Sequence, residues 1–200
     1  MKVIGITGGV GAGKSTVVGI LQKHFTTEYL HCDAIAHELM EQGGSAHEEL
    51  LSLFGDDIVN EDGTLNRGKL YERAFLGNRV EELNACVHPK VRSYVEDRIA
   101  NLRAADFSGM VLIEAALLIE AGYKEICDEL WYVHAPLEMR RARLKANRGY
   151  SDERVDSIMA EQATEELFFS ESDFVLYNDA SQADCEMHIV SQVEKHMGDN

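Results

Sequence analysis

The stretch GITGGVGAGKST, residues 5–16, decides the expected fold of this chain. It fits the pattern G-x-x-x-x-G-K-[ST] at Gly8, Gly13, Lys14 and Ser15, between an apolar run and a helical pattern. Glycines let the backbone turn sharply and bring successive N–H groups near phosphate oxygens, where a Cβ would obstruct them. The stretch therefore predicts a phosphate-binding loop between a strand and a helix, with a nucleoside triphosphate as its ligand.

Individual residues of this loop have separate expected roles. The Lys14 ammonium would reach the β- and γ-phosphates, and the Ser15 hydroxyl would bind Mg²⁺. A glycine-rich turn of purely structural use has the same pattern, but the strand before it and the helix after it favour a functional loop. ATP and Mg²⁺ are thus the expected cofactors. The predicted nucleotide-binding residues are Gly8, Gly9, Gly11, Ala12, Gly13, Lys14, Ser15 and Thr16.

Five short apolar segments, rich in β-branched or aromatic residues, predict buried strands. The segments are KVIGIT (2–7), EYLHCD (28–33), MVLIEAA (110–116), ELWYVHA (129–135) and DFVLYN (173–178). A helical pattern between the first two gives a strand–helix–strand alternation, which is typical of parallel sheets. We therefore expect an α/β fold, a five-stranded parallel P-loop kinase core with helices on both faces.

The alternation stops between residues 34 and 107, where the patterns are helical. A helical insertion after the second strand predicts an acceptor-binding domain, and Pro89 is expected in the first turn of one of its helices. A second helical excursion, 140–162, predicts a small lid. The nucleotide-binding core would then comprise residues 1–33, 108–139 and 163–200.

Composition excludes several classes of function. Nineteen basic against thirty-five acidic residues give a formal net charge of −16, which disfavours nucleic acid as a partner. The four cysteines are scattered, which indicates reduced thiols and argues against a disulfide framework or a zinc site. No apolar run approaches the roughly 20 residues that span a bilayer, so no membrane association is expected. These features predict a cytoplasmic protein.

The motifs of other P-loop classes are missing from the sequence. It has no guanine-reading N-K-x-D tetrapeptide and no LSGGQ-like transporter signature, which leaves a small kinase of a small molecule. Such a kinase needs a carboxylate near the acceptor hydroxyl. Asp33 ends the second predicted strand and suits this role, but it equally suits the N-cap of the next helix. Glu114, after the third strand, suits a magnesium-bound water or a structural role.

A basic cluster in this acidic chain has two interpretations. It would be a lid that covers the transferring phosphate, or a solvated helix face with ordinary ion-pair partners. The cluster consists of Arg140, Arg141, Arg143 and Arg148.

Motifs along almost the whole chain resemble the dephospho-coenzyme A kinase family. They are IGITGGVGAGKST, DAIAHEL with Asp33, NEDGTLNRGKL, VHPKVR, EAALLIEAGY, HAPLEMRRARLKANRGYS with Gln162, and SDFVLYND. The series DGTLNR…L…HP…R in the helical insertion is far more specific than the loop, which many enzymes share. The resemblance implies ATP-dependent phosphorylation of the ribose 3′-hydroxyl of dephospho-coenzyme A, the last step of coenzyme A synthesis.

The resemblance also implies roles for particular residues. Asp33 matches the family's catalytic base, Gly11 to Thr16 its ATP-phosphate loop, and Arg143 its lid arginine. Asn178 falls in the loop that the family uses near adenine. The expected catalytic residues are thus Asp33, Lys14 and Arg143.

The chain departs from the family pattern at several positions that bear on the acceptor. The departures are His31 for aspartate, His37 for arginine, Glu114 for aspartate, Ala116 for proline and Asn147 for a second lid arginine. They leave the phosphoryl-transfer residues intact but concern how the phosphates of the acceptor are held. A kinase of another nucleotide or nucleoside-like acceptor is therefore the first alternative, and a non-catalytic ATP sensor the second.

Overall fold

A computed structural model describes residues 1–115, 118–119, 121–160, 163–181 and 184–198, without the side chains of 147, 148, 158 and 160. Two positions named above, Ala116 and Gln162, lie outside the described residues, as do the side chains of Asn147 and Arg148.

Five strands form one sheet in the order β2-β3-β1-β4-β5. They are β1 (Lys2–Thr7), β2 (Thr27–His31), β3 (Met110–Glu114), β4 (Glu129–His134) and β5 (Phe174–Tyr177). β1 pairs in parallel with β3 and with β4, and β4 pairs in parallel with β5. The α/β fold with a five-stranded parallel sheet, predicted from the sequence, is confirmed.

The described residues form α-helices in both halves of the chain. They are α1 (Lys14–His24), α2 (Cys32–Met40), α3 (His47–Phe54), α4 (Arg67–Tyr71), α5 (Val80–Ala104), α6 (Leu137–Arg148), α7 (Asp152–Ala160), α8 (Glu165–Glu171) and α9 (Cys185–Gly198). Short 3₁₀ turns occur at Asp56–Ile58 and Tyr123–Ile126, and a π-helical turn at Glu72–Leu76. Within the described part of the chain, no helix is both long and apolar enough to cross a bilayer.

Contacts divide the chain into two compact units. The first comprises Met1–Leu30 with Asp106–Asn200, and the second His31–Ala105. The core of the first unit lies between the sheet and its helices, where Ile4, Leu21 and Trp131 are fully buried. The central strands β1 and β3 are buried almost throughout instead of alternating, as is typical of a parallel sheet covered on both faces. Residues 140–160 fall within the first unit, so a separate lid stays a prediction.

The second unit is helical, and it corrects one expectation about Pro89. We expected Pro89 in the first turn of a helix, but it lies inside the 25-residue helix α5. Helix α5 buries Val87, Val91, Val95 and Ile99, an uninterrupted stripe at four-residue spacing. Pro89 itself is on the exposed side. Proline lacks the N–H that would bond the carbonyl one turn earlier, and on the exposed side water can satisfy that carbonyl. The free energy gained by burying the apolar stripe therefore outweighs the local cost of proline in the helix.

Candidate active site

The loop after β1 has a backbone that requires glycine. Gly8, Gly11 and Gly13 have φ angles of +143°, +82° and +91°, and Gly13 is the N-cap of α1. A Cβ on Gly8 would lie 2.5 Å from the Val133 carbonyl oxygen. The strand–loop–helix arrangement expected from the sequence is therefore present, and it leads the chain from the middle strand of the sheet straight into a helix N-terminus.

Side chains from distant parts of the first unit donate to the carbonyl oxygens of this loop. Arg140 Nε donates to Val10 O at 3.0 Å, and Arg143 Nη1 to Ala12 O at 3.1 Å. Asn178 Nδ2 also donates to Ala12 O, at 2.8 Å. In a trans peptide the N–H of the following residue points opposite to the carbonyl. Because the Val10 and Ala12 carbonyls are held on one side of the loop, the N–H groups of Gly11 and Gly13 point to the other side. N–H groups directed to one side in this way form an anion-binding nest.

Lys14 and the start of α1 complete the loop. The Lys14 ammonium donates to the Gly8 carbonyl oxygen at 2.7 Å, which folds the lysine stem back along the loop. Ser15 and Thr16 follow in the first turn of α1, and both are exposed. The N-terminus of α1 adds the positive end of its dipole at this position, so the loop is suited to binding phosphate.

Asn178 supports the loop from the end of β5, a role that the sequence did not reveal. The residue is 2% exposed, and its Oδ1 atom accepts a hydrogen bond from the Cys185 thiol at 3.3 Å. Its backbone oxygen accepts from Arg143 Nη2 at 3.1 Å. The side-chain amide therefore joins the loop to α9, and the backbone oxygen of the same residue joins the end of β5 to α6. The expected adenine contact of this segment is not tested by this arrangement.

The basic cluster of α6 divides into residues with different partners. Arg140 and Arg143 donate to the loop, whereas Arg141 forms an ion pair with Asp156 of α7. Burial lowers the pKa of the Arg140 guanidinium below its ordinary value, and Tyr132 and Glu165 oppose this shift. An arginine stays protonated throughout the physiological range. The loop is therefore flanked by two fixed positive charges.

Glu114 ends β3 beside the strand that leads into the loop. Its backbone pairs with Ile6 in the sheet register, and the residue is 8% exposed. The Tyr29 hydroxyl donates to Glu114 Oε2 at 2.7 Å. No sequence pattern indicated this tyrosine, because the whole helical unit separates β2 from β3 in the chain. The hydrogen bond fixes one oxygen of a carboxylate that could hold a water-bound cation.

Asp33 belongs to the second unit, and its position corrects two expectations. The second strand was predicted to reach residue 33, but it ends at His31, and α2 begins at Cys32. The N-cap is His31, so the interpretation of Asp33 as an N-cap is wrong. The Asp33 side chain is 59% exposed, and its Oδ2 lies 3.9 Å from His31 Nε2. A carboxylate in the first helical turn interacts favourably with the dipole and stays open to a ligand.

The motif NEDGTLNRGKL, also in the second unit, forms a tight turn before α4. Asn66 caps α4 by accepting from the Lys69 backbone N–H at 3.0 Å. Arg67 follows on an exposed face, with Nη2 3.4 Å from Glu41 Oε1 and Nη1 3.5 Å from His37 Nδ1. The motif therefore combines turn-forming residues with two exposed cations, Arg67 and Lys69.

A magnesium ion suits the oxygen groups of the first unit. Among the described residues, no group of three or more His, Cys, Asp and Glu side chains could hold a metal. Mg²⁺ in kinases is bound by one or two protein oxygens together with substrate phosphates and water. The Ser15 hydroxyl and the Glu114 carboxylate fit this donor set.

Comparisons with known proteins extend over most of the chain. The family model for dephospho-CoA kinase matches residues 2–184. A dephospho-CoA kinase of Moorella thermoacetica is 38% identical over 166 residues, 82% of this chain and 78% of that protein. One of Carboxydothermus hydrogenoformans is 34% identical over 98% of this chain and 94% of that protein. A solved dephospho-CoA kinase of Campylobacter jejuni, 22% identical, has the same fold, with a TM-score of 0.73 over 99% of this chain and 98% of that one.

Proposed function

The chain belongs to the dephospho-CoA kinase family, and we infer from this membership that it is an ATP-dependent kinase of dephospho-CoA. It transfers the γ-phosphoryl group of ATP to the acceptor, the last step of coenzyme A synthesis. The observation that carries this function is the glycine loop whose carbonyls are held by Arg140, Arg143 and Asn178. The family match spans this loop and the helical unit that follows it.

We propose that the loop binds the phosphates of ATP. The N–H groups of Gly11 and Gly13 follow held carbonyls and would donate to phosphate oxygens. Lys14 would exchange its contact with the Gly8 carbonyl for the β- and γ-phosphates. Gly8, Gly9, Ala12, Ser15 and Thr16 complete the proposed binding residues, with Asn178 beside adenine. Arg143 would neutralise charge that develops on the transferring group.

We further propose Mg²⁺ as the metal of this site, held by Ser15 and, through water, by Glu114. When bound, it would neutralise charge on the phosphate oxygens and orient them for in-line transfer. The Tyr29 hydroxyl keeps the Glu114 carboxylate in one orientation, which supports this proposal.

Asp33 is the proposed catalytic base. Its carboxylate would orient the 3′-hydroxyl of the acceptor ribose and accept its proton. Its exposure supports this role, and so does the finding that the helix cap is His31 instead. Residues 34–107 would bind the acceptor, and residues 140–162 would exclude water that could hydrolyse ATP.

One observation favours a second candidate, a kinase of another nucleotide or nucleoside-like acceptor. The family often has an arginine where this chain has His37, and the nearby cation, Arg67, is paired with Glu41. A partly neutralised cation attracts phosphate less strongly. Under this second candidate, the acceptor would carry fewer phosphates.

The first experiment measures ADP release by the purified protein with ATP, Mg²⁺ and dephospho-CoA, against a control without acceptor. Acceptor-dependent ADP and a product with the mass of coenzyme A support the function. ATP binding without acceptor-dependent turnover would contradict it, and a panel of other acceptors compared by kcat/KM would then identify the substrate.

We also propose a cytoplasmic location and no nucleic-acid partner. The net charge of −16 repels polyanions, and none of the four cysteines, all of which the structure describes, forms a disulfide. Fractionation with measurement of the activity in each fraction tests the location.

A further inference from the structure

We propose that Arg140 is a positioning residue for ATP: it holds the Val10 carbonyl so that the N–H of Gly11 is directed at the nucleotide phosphates. The inference rests on the proposed function only in taking the ligand of the loop to be ATP. Arg140 itself need not touch the nucleotide, because it acts through the backbone of the loop.

The contact between Arg140 and the tip of the loop is close and specific. Arg140 Nε donates to Val10 O at 3.0 Å, across 130 residues of sequence. Gly11 packs against the backbone of the same arginine, since a Cβ there would lie 2.8 Å from the Arg140 carbonyl oxygen. The tip of the loop is therefore fixed to the first turns of α6 by both a hydrogen bond and direct packing.

Peptide geometry turns this contact into an effect on phosphate binding. The Val10–Gly11 peptide is trans, as are the other described peptides, so the Gly11 N–H points away from the Val10 carbonyl. A donor that fixes the carbonyl also fixes the direction of the N–H. Without it, the peptide plane can rotate, and Gly11 at φ +82° offers little resistance because glycine has no Cβ.

Arg140 and Arg143 act on different carbonyls of the loop, two residues apart. The two arginines lie three residues apart on α6, which places them on neighbouring positions of one helix face. Arg143 donates to Ala12 O, which also accepts from Asn178, whereas Arg140 donates to Val10 O. Loss of Arg143 leaves Asn178 on Ala12, whereas loss of Arg140 removes the hydrogen bond to the Val10 carbonyl.

The surroundings of Arg140 favour arginine over lysine at this position. The side chain is partly buried beside Tyr132 of β4 and Glu165 of α8, both of which interact with its charge. The contact uses the Nε–H within a planar guanidinium, which leaves the terminal nitrogens for other partners. A lysine ammonium is a single, strongly hydrated donor on a flexible stem and cannot reproduce this geometry.

The test compares Arg140→Gln and Arg140→Lys with the wild-type protein. The matched control is Lys195→Gln, which removes one positive charge at an exposed position of the same unit. For each protein, the Kd for ATP is measured by titration without acceptor, and the KM for ATP and for dephospho-CoA by ADP release. A thermal melt establishes that each variant is folded.

We expect Arg140→Gln to raise the Kd and the KM for ATP about tenfold, as loss of one hydrogen bond from a charged donor predicts. The KM for dephospho-CoA should stay within about twofold, and Lys195→Gln should behave as the wild type. Arg140→Lys should weaken ATP binding about threefold, because it keeps the charge but loses the guanidinium geometry.

Two outcomes would overturn the proposal. One is an ATP Kd for folded Arg140→Gln equal to that of Lys195→Gln, and the other is an equal loss for ATP and dephospho-CoA. If Arg140→Gln does not fold, Arg140→Lys decides, and wild-type ATP affinity in that variant overturns the proposal. A wild-type protein without acceptor-dependent turnover would contradict the proposed function, while the ATP titrations would still decide the role of Arg140.

Discussion

The Asn178 amide donates to the Ala12 carbonyl oxygen at 2.8 Å, across 166 residues of sequence. The amide is buried, and it joins the end of β5 to the phosphate loop. In Asn178→Ala, the Ala12 carbonyl keeps Arg143 but loses its shorter hydrogen bond. We expect the free energy of unfolding to fall by about 1 to 3 kcal/mol, with weaker ATP binding. Denaturant unfolding and ATP titration measure both.

The control for this change is Asn84→Ala, which alters an exposed asparagine of α5. It should leave the free energy of unfolding within about 0.5 kcal/mol of the wild-type value. A similar loss in both variants would contradict the role of Asn178 as a support for the loop.

Lys14→Ala should nearly abolish turnover. The lysine follows the loop directly, and its ammonium already lies against the Gly8 carbonyl. Without it, charge on the transferring phosphate would lack the cation that the loop itself supplies, so we expect kcat to fall by at least about 10²-fold. ADP release under saturating ATP measures this. Lys23→Ala removes an exposed lysine of the same helix, 63% exposed and paired with Glu186, and should keep wild-type kcat.

Asp33→Asn should lower kcat by on the order of 10²-fold or more and leave ATP affinity unchanged, because an amide cannot accept the proton of the acceptor. Stability should change little, since Asp33 is exposed and does not cap α2. Single-turnover kinetics and ATP titration separate the two effects. Glu38→Gln, at an exposed position of the same helix, is the control. Near-normal kcat in Asp33→Asn would remove the proposed base.

Tyr29→Phe should change the response to magnesium. The variant loses only the hydroxyl that orients Glu114, so the Mg²⁺ concentration for half-maximal activity should rise about tenfold. Activity measured over a magnesium titration at saturating ATP tests this. Tyr94→Phe, at an exposed position of α5, should leave the titration unchanged. Coincident curves for the two variants would argue against Glu114 as a cation-binding residue.

Glu129 gives a pH dependence of stability with a defined sign. Burial alone would raise its pKa, but hydrogen bonds from Lys2, Trp131 and His196 together lower the pKa below its ordinary value of 4.5. The stabilisation is therefore complete above pH 4.5 and is lost as the pH falls through the lower, folded-state pKa.

Glu129→Gln should lower the free energy of unfolding by about 1 to 3 kcal/mol at pH 7. The difference from the wild type should shrink as the pH falls below 4.5, where glutamate itself becomes neutral. Denaturant unfolding at several pH values measures this difference. A difference that grows on acidification would have the wrong sign. Glu194→Gln, at an exposed position of α9, should show no difference at any pH.

Strands and the phosphate loop were predictable because their signals are local. The apolar run of β1, the glycines and the helix start at Lys14 lie within 24 residues, and each constrains its own backbone. The Pro89 expectation was wrong because burial of the stripe along α5 outweighs a local preference. The end of β2 was placed two residues too late, since Cys32 and Asp33 suit a strand end and a helix start equally.

The supports of the loop could not be predicted from the sequence. Arg140, Arg143 and Asn178 reach it from 130 to 166 residues away, and no periodicity relates them to their partners. Tyr29 and Glu114 are likewise 85 residues apart. The basic cluster of α6 indicated an important segment, but only the packing of the sheet reveals which arginines meet the loop.

The strand order has a consequence for synthesis of the chain. The middle strand, β1, is made first, but its two neighbours, β3 and β4, begin only at Met110 and Glu129. More than a hundred residues must leave the ribosome before β1 has a partner, and pairing over such distances is slow. The helical unit, His31–Ala105, by contrast, is complete before β3 begins and can acquire structure earlier. Since Asn178 arrives last, a nascent chain becomes competent to hold its nucleotide loop only near the end of translation.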